Sequence, residues 1–141
     1  MHHRWAALAL VLALGASAPS PASGQRPVPP HERRLGTLGQ NFPNPFKPDT
    51  WIPFSVDDCN GRDGQRVVSL RVYNVLAQLV ATPVLHGAGV PLAGIRLSCG
   101  SYVAYWDGRL THGHRKADSG VYVYELVVDG QRSSRKMFVA R

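Results

Sequence analysis

The residues of this chain best equipped for chemistry lie in polar loops. His112-Gly113-His114 places two imidazoles two residues apart, close enough to share a metal ion. No third ligand is evident beside them, and His86 lies far off in the sequence. They read as solvent-exposed loop histidines. Asp57-Asp58, with Asn60, Asp63 and Gly64, superficially resembles a calcium loop. The twelve-residue pattern fails, because no glutamate closes it. Asp118-Ser119-Gly120 offers a hydroxyl, but no local histidine can act as its base, so it reads as a turn entering a strand. Asp107-Gly108 after Trp106 reads as a turn that the aspartate caps and the glycine permits. These groups make no catalytic set. The expectation is a protein that is not an enzyme, with no cofactor and no metal.

The other reactive side chains are two cysteines, Cys59 and Cys99. Their meaning depends on the N-terminus. MHHR is a basic start, and Trp5 to Ala16 is an apolar run of signal-peptide length, too short to span a bilayer. Ala22-Ser23-Gly24 has the small residues that a signal peptidase reads, so the signal is placed at 1–24 and the mature start near Gln25. Outside the cytoplasm a lone cysteine pair forms a disulfide. Both cysteines fall at strand ends, and they are expected to meet at one end of the fold. Such a bond would close a loop of about forty residues, worth roughly 4 kcal/mol in chain entropy.

The net charge is +7. The basic residues are scattered along the chain: Arg33-Arg34, Arg62, Arg66, Arg71, Arg109, Arg115-Lys116, Arg132 and Arg135-Lys136. No dense cluster is interleaved with aromatics, and export argues against nucleic acid as a partner. A solvated basic surface is the reading, with weak attraction to an anionic envelope surface or glycan as the physical alternative.

The elements that must position these residues are strands. Residues 25–37 are proline-rich and charged, and read as a disordered leader. Trp51 to Val56 reads as a first strand and Arg66 to Tyr73 as a second, with Val68, Leu70 and Val72 on one face. Leu79 to Val84 follows after a turn at Asn74–Gln78, where tight hairpin geometry is the simplest expectation. Ile95 to Leu97 reads as a short edge strand. Ser101 to Trp106 carries Tyr102, Ala104 and Trp106 on one face. Gly120 to Val128 alternates most clearly, with Tyr122, Tyr124, Leu126 and Val128 together. Asp129-Gly130 is a hairpin turn, and Arg132 to Val139 pairs back. Six or seven strands at this spacing predict an all-β antiparallel β-sandwich.

One stretch fits neither strand nor helix. LGQNFPNPFKPDT, residues 38–50, has prolines at 43, 45 and 48, each lacking an amide donor. Yet it also carries Phe42 and Phe46. QNFPNPFKPDTWIPFSV, VSLRVYNVLAQLVATPV, YWDG and SGVYVYELVVDGQRSSRKMFVAR occur in that order. Together they resemble the immunoglobulin-like module related to the flagellar hook-capping protein, and the C-terminal sorting domains of type IX secretion. The resemblance covers 38–141 and implies that the fold is an immunoglobulin-like antiparallel β-sandwich of about seven strands. It gives structural roles to Asn41, Pro43, Asn44, Pro45, Phe46 and Pro48 of the arm, and to Tyr73. The same holds for Trp106, Asp107 and Gly108 of YWDG, for Gly120, Tyr122 and Tyr124, and for Lys136 and Met137. It implies that the arm marks the boundary with a preceding domain. On physical grounds Phe42 and Phe46 are expected to seal the open end of the sandwich while the prolines hold the arm rigid. The family usually has glycine where Ala77 stands.

Two functional expectations follow. One is an exported, non-catalytic module that binds or assembles at the cell envelope. The other is a C-terminal sorting signal recognised by the type IX machinery, a remnant without cargo. The partner is an unidentified envelope or secretion protein. No membrane-spanning segment is expected after signal removal.

Overall fold

The computed structural model describes residues 15–20, 33–60 and 64–140. Most of the expected signal peptide, leader residues 25–32, Arg62, Asp63 and Arg141 lie outside the described residues. The described chain contains nine strands: β1 (Gly36–Leu38), β2 (Thr50–Val56), β3 (Gln65–Tyr73), β4 (Leu79–Ala81), β5 (Val84–Leu85), β6 (Ile95–Ser98), β7 (Gly100–Trp106), β8 (Gly120–Val128) and β9 (Gln131–Val139). One sheet has the order β1-β2-β7-β5. The other has the order β4-β3-β8-β9, with β6 also paired to β3. Every strand pairing is antiparallel. The inner faces of the two sheets share one core, so the molecule is a β-sandwich, formed within a compact unit that runs from Glu32 to Arg141.

Period-two alternation is what builds it. Thr50, Ile52, Phe54 and Val56 of β2 are buried, as are Val68, Leu70 and Val72 of β3 and Tyr122, Tyr124, Leu126 and Val128 of β8. Ala104 and Trp106 of β7 and Met137 of β9 complete the centre. The intervening residues face outward.

The strand count exceeds the expected seven for two physical reasons. The run Leu79 to Val84, expected as one strand, divides at Thr82-Pro83. β4 pairs with β3 in one sheet, while β5 pairs with β7 in the other. A proline has no N–H for a ladder, and here the chain changes sheets at that point. The Pro83 carbonyl accepts from Leu92 N instead. The second addition is β1, which takes in Gly36 and Thr37, assigned above to the leader. Gly36 permits it: a Cβ there would lie 2.6 Å from Val128 Cγ2, so only glycine lets β1 sit so low over β8.

The β3–β4 connection also differs from a tight hairpin. It spans Asn74–Gln78 and is organised by Asn74, whose Oδ1 accepts from the amides of Leu76 and Gln78. Ala77 sits in this loop at φ 59°. A left-handed alanine costs roughly 1 kcal/mol, and the extra unfolded-state freedom of glycine offsets about 0.4–1 kcal/mol of any relief. Ala77→Gly is therefore expected to stabilise by less than about 1 kcal/mol. The measurement is a urea midpoint that rises with an unchanged slope; a lower midpoint would show that the loop holds alanine without strain.

Candidate binding surfaces and the sealed end

The proline arm, residues 40–49, is fixed to both sheets. Phe42 and Trp51 exchange backbone hydrogen bonds of 2.9 and 2.8 Å, which tie the arm to β2. Phe46 N donates to Phe138 O at 3.0 Å, and Ala140 N donates to Phe46 O at 2.9 Å, which ties it to the end of β9. Phe138 N donates to Asn44 Oδ1 at 2.9 Å. The arm thus straps one end of the sandwich.

Phe46 fills that end. It is 1% exposed and meets Trp106 edge-on, with ring centroids 5.4 Å apart. Trp106 in turn meets Tyr122 at 6.0 Å, and its Nε1 donates to Arg109 O. Gly108 has a positive φ of 76°, and a Cβ there would collide with the Pro48 carbonyl. Asp107 Oδ1 accepts from Arg109 N, so it caps its own turn. Phe42 does not share the sealing role expected of it. It is 51% exposed and stacks at 6.3 Å on Trp51, outside the sandwich. Its side chain alternates with the strand register, so it lies on the outer face.

A second tie starts from a missing donor. In the β1–β2 ladder Gly39 N donates to Pro53 O, but Pro53 has no N–H to return. Tyr124 Oη fills the gap by donating to Gly39 O at 2.8 Å. The same oxygen accepts from Asn41 N at 3.0 Å. Asn41 is 2% exposed, and its Nδ2 reaches Pro43 O and Thr50 Oγ1. Burial pushes the Tyr124 pKa up, opposed by the Asn41 amide and by Arg135. Tyr124→Phe would leave a buried amide and a carbonyl unpaired, and is expected to lower stability by about 1–3 kcal/mol in urea unfolding. A loss below about 0.5 kcal/mol, the floor for an ordinary hydrogen bond, would mean that the hydroxyl does not hold the arm.

At the opposite end, Cys59 and Cys99 form a disulfide with Cα atoms 5.6 Å apart. Cys99 lies where the chain leaves β6 in one sheet for β7 in the other, so the bond secures that crossing. Beside it, Arg66 reaches the carbonyls of Asp57 and Asp58 and pairs with Asp129 at 2.8 Å. Asp129 Oδ1 accepts from Val67 N. That amide, then Arg66, holds the Asp129 pKa below its ordinary value. A depressed carboxylate stabilises the fold above its unfolded pKa and loses that contribution as pH falls through the folded one. Asp129→Asn keeps the turn, in which residue 129 has φ 46°. Its stability deficit should be full at neutral pH, start to shrink near pH 4, and vanish only once pH falls below the depressed folded value. Urea midpoints across pH read this directly; a deficit that does not change with pH would exclude a role for the charge.

The polar loop groups considered in the sequence do not gather into one site among the described residues. His112 and His114 are exposed, and the carbonyl of His114 accepts from Arg109. Asp58 pairs with Arg33 at 3.5 Å. Among the described residues no three His, Cys, Asp or Glu side chains group as metal ligands. No described helix is long and apolar enough to cross a membrane.

Among the described residues, three open surfaces stand out. The outer face of the β1-β2-β7-β5 sheet carries Phe42, Trp51 and Tyr105, with Trp51 and Tyr105 centroids 5.5 Å apart. Tyr105 Oη donates to Asp49 Oδ2, and this bond, with burial, raises the tyrosine pKa. The outer face of the other sheet has a shallow dish of about 390 Å³ lined by Tyr73, Val75, Val123, Glu125 and Arg132. Glu125 Oε1 is buried there without a hydrogen bond, 3.7 Å from Arg132. The third surface is a groove of about 500 Å³ between β1 and β9. Sequence alternation could not reveal that groove, because alternation gives faces and not strand neighbours. Comparison with family models, with curated proteins and with solved structures finds no match.

Proposed function

We propose that this chain is an exported, non-catalytic immunoglobulin-like module that acts by binding or assembly at the cell envelope. We also propose kinship with the hook-capping module and with type IX sorting domains. One observation carries the reading. Three of the four blocks of the resemblance converge on a single end of the sandwich, where Asn41, Phe46, Trp106, Tyr122, Tyr124 and Met137 bury one another or are bonded to backbone. Their polar atoms are engaged inside the fold, which suits a scaffold that presents outer surfaces. The disulfide fits an oxidising compartment. The net charge of +7 suits an anionic envelope environment.

The test separates this from a sorting signal. The module is fused behind an exported reporter, in a host with type IX machinery and in one without. A binding module leaves the reporter in the periplasm of both hosts. Passage of the reporter to the cell surface in the first host alone would establish the sorting reading and end this one.

A further inference from the structure

We propose that the outer edge of β9, facing β1 across the groove, takes up an extended acidic segment of a partner protein as an added β-strand. The inference rests on the binding-module reading above and names the class of partner.

The edge is defined by the hairpin. With Val128 opposite Gln131, the odd-numbered residues of β9 exchange hydrogen bonds with β8. The N–H and C=O groups of Arg132, Ser134, Lys136 and Phe138 therefore point away from β8. At one end the arm covers them: Phe138 is bonded on both its groups, and Lys136 O accepts from Gln40 Nε2. From Arg132 to the Lys136 amide, no described strand pairs with this edge. That leaves about five residues, roughly 17 Å of template.

The opposite wall belongs to the other sheet. Gly36 and Leu38 turn their outward backbone toward the groove, and Leu38 O already accepts from Arg135 Nε. β1 already packs on β9 here, so an added strand would run along the free edge of β9, beside β1, and extend this side of the sandwich.

Charge selects the occupant. Arg34, Arg132 and Arg135 line the groove, and no carboxylate does. Arg132 and Lys136 flank Ser134 on the outer face and are exposed. Antiparallel pairing with a second copy centred on Ser134 would set Arg132 against Lys136, a like-charge contact. Edge strands are commonly protected from self-association by such charges. The same charges favour a strand with carboxylates four residues apart, and main-chain bonds would supply the affinity.

The test uses the full 141-residue chain. Fluorescence anisotropy is read with labelled Thr-Glu-Val-Thr-Val-Glu-Thr and with Thr-Lys-Val-Thr-Val-Lys-Thr. The glutamate peptide is expected to bind, weakening as salt rises, and the lysine peptide to bind at least roughly tenfold more weakly. Ser134→Pro removes one outward N–H and leaves the ladder to β8 intact. It is expected to abolish binding while the unfolding midpoint stays put. If that variant is destabilised, a glutamate peptide N-methylated at the residues that would donate to β9 makes the same cut from the other side, and it should fail to bind. Four results would each overturn the proposal: equal binding of both peptides, no binding of either, binding that survives these cuts, or slow amide exchange at Arg132 and Ser134 in the free chain. None of them would touch the exported-module reading, which the reporter fusion decides.

Discussion

Phe46→Ala lowers the unfolding free energy by about 3–5 kcal/mol, the usual range for truncating a buried phenylalanine. The ring is 1% exposed and closes the end of the core against Trp106. Its backbone also carries two of the bonds that hold the arm to β9. The substitution keeps that backbone but removes the anchor beneath it. The arm should then open ahead of the rest of the fold, seen as faster amide exchange at Phe46 and Ala140 than at the β8 core. Phe42→Ala is the internal control. That ring is 51% exposed, and its loss should cost less than about 1 kcal/mol. Equal effects of the two variants in urea unfolding would contradict the assignment of Phe46 as the seal.

Reduction of the Cys59–Cys99 bond has the second large effect. The cysteines are 40 residues apart, and freeing a loop of that length costs about 4 kcal/mol in the chain-entropy model. The loop contains β3, β4, β5 and β6, so the bond restrains the crossings from β4 to β5 and from β5 to β6, together with those at its two ends. Cys59→Ser with Cys99→Ser should lower the urea midpoint as much as reductant does in the parent. Reductant should leave the variant unchanged. A parent midpoint that reductant does not move would show that the crossing is held by the sheets alone.

Much of this fold was legible because one face of most strands is buried. Val68, Leu70 and Val72, and Tyr122 through Val128, alternate in sequence as they do in space. The disulfide was legible from the two cysteines and their strand-end positions. Pro83, which lacks an N–H, marked a break within the apolar run of Val80, Ala81 and Val84, but nothing local showed that the chain changes sheets there. β1 was missed because its Gly36 and Thr37 follow a charged, proline-rich run, and its position depends on what Gly36 allows over Val128. Phe42 and Phe46 look alike in sequence. Only the register of the arm on β2 and β9 sends one outward and one into the core. The basic groove joins residues about a hundred positions apart, and it emerges only once β1 and β9 are known to be the edges of their sheets.

The central claim, an exported module that works whole, is tested most directly by its intact mass. The protein is taken from each cell fraction of its native host and weighed without reduction. The account predicts an envelope or extracellular chain that begins near Gln25, keeps residues 25–37 joined to the sandwich, and is lighter by two hydrogens than its reduced form. Recovery of fragments alone, with the sandwich severed from residues 25–37, would contradict it and mark the module as a processed sorting signal.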